Sequence, residues 1–173
     1  MASLITDQFI DYAKGEFRLD WHGIHGASHW ARVRRNGLLL AAQTGANTRV
    51  VEYFAFIHDL GRRNDDHDPE HGLRAAGLAR ELAGELIDVT EVELGLLVHA
   101  CEGHSEGHLE ADVTVMTCWD ADRLDLGRVG IVPDPSRLCT AAARDRDLLA
   151  AAYRRSIQGF LERGYGCRYL PTS

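Results

Sequence analysis

Apolar residues recur at helical spacing along nearly the whole of this chain. Residues three and four positions apart lie on one face of an α-helix, so a stripe with that spacing marks the face that packs against a core. No alternating strand pairs, hairpin signals or internal repeats appear. The pattern therefore predicts one all-α domain over residues 1–173, a bundle of about six to seven helices. The clearest apolar sets are Leu4, Phe9, Ile10 and Ala13; Val33, Leu38, Leu39, Leu40 and Ala41; and Leu148, Leu149, Ala152 and Ile157.

Polar residues with capping chemistry predict where several helices begin. Ser28 is a suitable N-cap for the second helix, because its hydroxyl can accept a hydrogen bond from a first-turn amide. Thr90–Glu93 has the sequence of a capping box. Asp68-Pro69-Glu70 and Asp134-Pro135 place proline directly after an acidic cap, which predicts helix starts at both places. The second of these would open a C-terminal helix over about residues 135–163.

The composition is that of an ordinary globular protein, with 45% hydrophobic and 26% charged residues. A formal net charge of −7 argues against nucleic-acid polymers and anionic membranes as partners, since both attract basic proteins. It still permits a small phosphorylated ligand, because a bound metal and nearby arginines reverse the local potential. No signal peptide and no apolar run of about 20 residues is visible, so the sequence predicts a cytoplasmic protein.

The cysteines are widely separated and contain no C-x-x-C pair. In a chain of this kind they are predicted to be reduced thiols, mostly buried, and not a zinc-thiolate site or a disulfide framework. They are Cys101, Cys118, Cys139 and Cys167.

Two adjacent residues with metal-ligating side chains, His58 and Asp59, follow the apolar run 50–57. Imidazole nitrogens and carboxylate oxygens bind divalent ions of the zinc, manganese, iron and cobalt type. Neighbours on a straight helix point about 100° apart, so the pair could hold one ion only at a helix end. Gly61 lies just beyond the pair and would make a twist of the backbone easy. The position of the pair therefore predicts a metal site.

Three short motifs resemble, in their residues and in their order, the HD-domain superfamily of metal-dependent phosphohydrolases. The resemblance covers about residues 22–130, and it implies an HD-type helical bundle in which residues 113–124 form a helix. The motifs are His29-x-x-Arg32-Val33, His58-Asp59-Leu60-Gly61 and Ala121-Asp122-Arg123-Leu124. The ligands that the resemblance implies for one divalent ion are His29, His58, Asp59 and Asp122.

The same resemblance implies a second ion where two further histidines lie between the His-Asp pair and the last aspartate, with Asp59 bridging the two ions. His71 and His99 match those histidines in order and setting. The alternatives are a surface residue for His71 and a hydrogen-bonded core imidazole for His99. Asp120 is an alternative to Asp122 for the last ligand position. The two lie on different sides of one helix, so only one of them is expected to reach the ion, and the motif match favours Asp122.

Candidate substrate and catalytic residues follow the His-Asp pair. Arg62 and Arg63 could bind a phosphate group through their guanidinium groups, or pair with nearby surface aspartates. Asp65 could serve as a general acid or orient water, or could cap the loop. His104 could contact substrate or metal, or be a solvated loop histidine. Asp59, Arg62 and Asp65 form the expected catalytic set.

The predicted function is hydrolysis of a phosphate ester or anhydride in a small phosphorylated metabolite or nucleotide by metal-activated water. The predicted cofactor is one or two divalent ions, drawn from manganese, iron, cobalt, nickel, zinc and magnesium. Two alternatives stay open. One is a di-iron HD-type oxygenase, which six ligands suit equally well, and the other is a non-catalytic, metal-stabilised module that binds a nucleotide or a partner.

Overall fold

A computed structural model describes residues 4–162, with side chains as far as residue 158. This part of the chain is all-α, as the apolar pattern predicts. It contains seven α-helices and no strand, only an isolated bridge between Ala83 and Ile87. The helices are α1 (Asp7–Glu16), α2 (Ala27–Thr44), α3 (Thr48–Ile57), α4 (His71–Leu82), α5 (Glu91–Gly103), α6 (Val113–Arg123) and α7 (Arg146–Glu162). None of the helices in this range is long and apolar enough to cross a membrane.

Helix α3 lies at the centre of the bundle. It packs against α2, α5 and α6, while α4 packs against α5. Its apolar residues Val50, Phe54 and Ile57 are fully buried. Because α3 is short, its C-terminal end lies inside the bundle and not at the surface. The residues that follow α3, the start of α4 and the ends of α5 and α6 come together there.

The capping box at Thr90–Glu93 is confirmed: the Thr90 hydroxyl accepts from the Glu93 amide, and the Glu93 carboxylate accepts from the Thr90 amide. The N-cap of α2 is Gly26, so the prediction of Ser28 was wrong by two residues. Helix α4 begins at His71 and not at the Asp68-Pro69 step. The reason is that the Asp68 carboxylate accepts from the Arg63 amide and the Arg74 guanidinium instead of capping the helix.

The prediction that a long helix begins at Asp134-Pro135 was also wrong. Asp134 caps only the short 3-10 helix Pro135–Arg137, and α7 begins at Arg146. Helix formation stops because the next residues are held in another conformation. Leu138 is extended and buried, and the Cys139 amide donates to the Asp120 carboxylate. The predicted end of this helix lies outside the described residues.

Helices α4 and α5 approach each other closely at Gly72. A Cβ atom at this position would lie 2.6 Å from the Cys101 carbonyl oxygen, a distance that real Cβ contacts do not show. His71 directly precedes Gly72, and His104 comes three residues after Cys101, just beyond the end of α5. Gly72 therefore sets the separation between two histidines that face each other.

We expect Gly72→Ala to lower the free energy of unfolding by about 1–3 kcal/mol, because the new methyl group has to push two backbones apart. Gly77→Ala, in the same helix, is the matched control, since a Cβ there meets nothing within 4 Å. That control should be neutral or should stabilise the protein by up to about 1 kcal/mol through helix propensity. Urea unfolding of both variants measures the difference, and equal stabilities would contradict the close approach.

Candidate metal centre

Four imidazoles and two carboxylates meet at the inner end of α3. All are buried except Asp122, which is half-buried. Ligand atoms of His29, His58 and Asp59 lie within 4.8 Å of one another, and so do those of Asp59, His71 and His104. Asp59 thus belongs to both groups. The six side chains come from α2, α4, α6, the turn after α3 and the residue that follows α5.

The turn after α3 is what lets His58 and Asp59 serve one site. The amide of Leu60 donates to the Ile57 carbonyl and that of Arg62 donates to the Asp59 carbonyl, so the helix tightens into turns of the 3-10 type. Gly61 is not in the left-handed region, and the prediction that it eases a twist was wrong. Gly61 instead allows α4 to approach, because a Cβ there would lie 2.9 Å from the Cβ of Arg74.

The first donor group surrounds the Nε2 atoms of His29 and His58, which lie 3.1 Å apart. Asp59 Oδ2 is 3.6 Å from the first and 3.7 Å from the second. Asp122 Oδ1 is 3.4 Å and 3.8 Å from the same two atoms. This Asp122 oxygen is buried and accepts no hydrogen bond from the residues that the structure describes. A buried carboxylate oxygen without a donor is costly unless a cation neutralises it.

The protonation of these two histidines supports a cation between them. His29 Nδ1 donates to Asp125 Oδ2 at 2.7 Å, and His58 Nδ1 donates to the Phe54 carbonyl at 3.1 Å. Burial lowers the pKa of His29, and it lowers the pKa of His58 to about 3, so both rings are neutral near pH 7. A neutral ring with its proton on Nδ1 has a bare lone pair on Nε2. The two lone pairs therefore face each other, an arrangement that a divalent ion would stabilise.

The second donor group has the same design. His71 Nδ1 donates to the Asp68 carbonyl and His104 Nδ1 donates to the Cys101 carbonyl, while their Nε2 atoms lie 2.8 Å apart. Burial opposes charge on His104, but Asp59 and Asp122 outweigh it and raise the pKa of this ring. His104 Nε2 is thus the more basic of the two facing nitrogens, because burial and His104 lower the pKa of His71. Metal-ligating histidines commonly donate their other N–H to a carbonyl or carboxylate, as all four rings do here.

Asp59 presents one oxygen to each histidine pair. Oδ2 faces His29 and His58, whereas Oδ1 lies 3.5 Å from His71 Nε2 and 3.7 Å from His104 Nε2. Burial alone would raise the pKa of this carboxyl, but the surrounding histidines hold it well below its ordinary value. Asp59 is therefore ionised and is positioned to bridge two ions.

Two further groups hold Asp59 in this orientation. His25 Nδ1 donates to Oδ2 at 2.7 Å, and Arg62 Nε donates to Oδ1 at 3.0 Å. Both neighbours come from outside the two histidine pairs. Arg62 is thus committed to the carboxylate, and its placement does not support the predicted role in binding phosphate.

Asp125 orients His29, a role that the sequence analysis missed. Its carboxylate accepts from His29 Nδ1 and also from Arg32 Nε at 2.7 Å. Arg32 is the arginine of the His29-x-x-Arg32-Val33 motif, so two residues of this motif contact Asp125. The buried guanidinium of Arg128 lies beside both Asp125 and Asp122. Burial would raise the pKa of Asp122, but Arg128 and the histidines hold it far below its usual range.

His99 does not join the site, which corrects the prediction for the second histidine pair. It is exposed on α5, and its ring contacts Trp119 edge-on at a centroid distance of 5.8 Å. It lies five positions before His104, so the two side chains point to different sides of the helix axis. His104, which follows the last residue of α5, points into the bundle and takes the position expected of His99.

Asp120 has a structural role. Its carboxylate accepts from the Cys139 amide at 2.7 Å and from the Thr140 amide and hydroxyl, both at 2.8 Å. Asp122 is the aspartate of α6 that faces the histidines. The placement agrees with the motif match, although the ligand role itself stays a prediction.

The remaining candidates lie away from the donor atoms. Asp65 is exposed in the loop, and its side chain has no hydrogen-bond or ion-pair partner among the described residues. Arg63 is exposed and lines a cavity of about 330 Å³ that also contains Arg18, Arg62 and Arg74 but none of the six donors. A different cavity, described below, reaches His104 and Asp122.

Comparison of the chain with protein-family models, with curated proteins and with solved structures gives no match in any of the three. The resemblance to HD domains therefore rests on the motifs alone. The donor set and its surroundings carry the functional argument.

Proposed function

We propose that this protein is a divalent-metal-dependent phosphohydrolase with two ions at the centre. The observation that carries the proposal is the carboxylate of Asp59, each of whose oxygens faces a separate pair of histidine Nε2 atoms. Asp122 adds a buried oxygen that accepts no hydrogen bond within the described part of the chain. The residues that would hold the ions are His29, His58, Asp59, Asp122, His71 and His104.

Two divalent ions between such donors would lower the pKa of water and stabilise the entering and leaving oxygens of a phosphoryl displacement. The protein's own part is to hold the donors still. Asp125 keeps the His29 proton on Nδ1, and the carbonyls of Phe54 and Cys101 do the same for His58 and His104. His25 and Arg62 keep Asp59 from rotating.

Of the arginines near the candidate centre, Arg128 is the one whose position best suits the binding of a phosphate group. It is buried, its Nε donates to the Ile24 carbonyl at 3.0 Å, and its Nη2 lies 3.8 Å from Asp122 Oδ1. A positive charge so placed offsets the two ionised carboxylates of the centre and favours an incoming phosphate. The sequence analysis assigned this role to Arg62 and Arg63.

The test of this function is metal analysis followed by reconstitution. Protein treated with a chelator is loaded with manganese, cobalt, nickel, zinc, iron or magnesium, and release of phosphate from a panel of monoesters, diesters and nucleotides is measured. We expect two ions per chain and hydrolysis that chelation abolishes. Absence of hydrolysis with every ion, together with oxygen uptake by the iron-loaded protein, would favour the oxygenase alternative.

The number of bound ions depends on His104 and not on His99. His104→Ala should lose one of two ions while the other remains, because only the second donor group contains this residue. His99→Ala, on the same helix, is the matched control and should keep both ions. Metal content by mass spectrometry decides this, and the reverse result would restore the original assignment of His99.

A further inference from the structure

A cavity of about 480 Å³ begins at the candidate metal centre. His104 and Asp122 form its inner end, and the loop after α5 and the segment after α6 form its walls. Its volume is in the range of cavities that bind small organic molecules. Most of its other lining residues are apolar: Leu109, Leu126, Ile131, Val132, Pro133 and Leu138.

Several of these apolar residues are exposed around the same opening. The exposed fractions are 43% for Leu109, 52% for Ile131 and 62% for Val132. Single exposed apolar side chains are common on proteins, but a group of them around one cavity marks a binding surface. Gly130, in the left-handed conformation at φ 79°, turns the chain so that Ile131 and Val132 follow at the rim.

The charged residues of the cavity do not suit a chain of several phosphates. Arg123 donates to the backbone carbonyls of Arg137 and His108, so it ties two loops together. The other two charged residues of the wall, Arg137 and Asp134, carry opposite formal charges, and the Asp134 carboxylate accepts from the Ser136 amide and hydroxyl. Beyond the metal centre, a ligand with many negative charges would therefore meet two arginines and one opposing aspartate, which is little compensating charge.

We infer that the substrate is a phosphate monoester whose organic part carries an apolar face, with Ile131 and Val132 as the residues that select it. This inference rests on the proposed function. The phosphate lies at the His104 and Asp122 end, and the organic part lies against the apolar wall. Esters of small polar alcohols leave this wall exposed to water and gain nothing from it.

The test compares ligands that differ only in the apolar group. Ethylphosphonate and 2-phenylethylphosphonate, which are not hydrolysed, are titrated into the metal-loaded protein by calorimetry, and the matching phosphate esters are assayed for kcat/KM. The two esters have leaving alcohols of similar acidity. The variant is Ile131→Ser/Val132→Ser, and its control is Leu39→Ser/Val92→Ser, which removes two exposed apolar side chains elsewhere.

We expect the phenylethyl compounds to bind and react roughly tenfold better than the ethyl compounds, and the variant at the cavity, but not the control, to lose this preference. Hydrolysis without a preference, or a preference that survives in the variant, overturns the inference and leaves the phosphohydrolase intact. Selective binding of the phenylethylphosphonate without any hydrolysis supports the apolar wall and overturns the proposed function. If neither a binding preference nor hydrolysis is observed, both the inference and the proposed function are overturned.

Discussion

Asp59→Asn protein is expected to purify without either ion and to show hydrolysis at background level. One carboxylate serves both histidine pairs in the structure, so its conversion to an amide removes a charged oxygen from two sites at once. Residues that only orient metal ligands cost about 10–100-fold in affinity or activity when they are replaced. Replacing a ligand that two ions share should lower the metal affinity or the activity by more than about 100-fold, the upper end of that range.

The fold should survive this substitution, because Asn has the shape of Asp and the helices around it pack through apolar residues. Circular dichroism checks the helix content, and metal analysis gives the ion count. Asp11→Asn, which changes an exposed carboxylate of α1, controls for the loss of one negative charge. Two ions per chain in the Asp59→Asn protein would remove the basis of the proposed centre.

The metal content of the protein is expected to stay unchanged in Asp120→Asn and to fall in Asp122→Asn. Asp120→Asn loses charge-assisted hydrogen bonds from the Cys139 and Thr140 amides, so the free energy of unfolding should fall by about 1.5–3 kcal/mol. Its ion content should stay at the level of the parent protein. Asp122→Asn should instead lose metal and more than about 100-fold of its activity.

In the absence of metal, Asp122→Asn should be less stable than the parent, because Arg128 Nη2 lies 3.8 Å from Asp122 Oδ1 and favours the ionised carboxylate in the folded protein. Urea unfolding in the presence of chelator gives the stabilities, and metal content is measured separately. Greater metal loss in the Asp120→Asn protein would reverse the assignment of the two aspartates.

The parts of this structure that follow from local sequence were predictable. Helical periodicity reports which face of each helix is buried, and this gave the all-α fold. The His58-Asp59 pair was identifiable because two polar ligands at the end of an apolar helix lack another explanation. The structure brings His29, Asp122 and His71 to the same place, in agreement with the motif order.

The wrong predictions for the site concern residues just beyond the ends of helices, where the helical spacing of apolar residues no longer indicates which way a side chain points. His104 follows the last residue of α5, and its direction depends on how that helix terminates, whereas His99 has regular helical spacing and seemed the better choice. Asp125 lies beyond α6, where the chain continues as a 3-10 helix that brings its carboxylate under His29. An aspartate three residues after a candidate metal ligand is the signal that could have suggested it.

The start of α7 depended on a contact between distant parts of the chain. Asp134-Pro135 has the composition of a helix start, and it does open a short 3-10 helix. The carboxylate of Asp120, from another helix, then accepts hydrogen bonds from the backbone of residues 139 and 140. Local propensity does not include such a partner, and so the predicted helix was too long.

The thiols of Cys101 and Cys118 lie in the contact between α5 and α6 and are completely buried, as the sequence predicted for most of the cysteines. Burial raises the pKa of both thiols well above the ordinary value for cysteine. An alkylating reagent needs a thiolate that it can reach, so neither residue can react until the two helices separate. The rate of native-state alkylation at these positions therefore reports how often the joint between the helices that carry His104 and Asp122 opens.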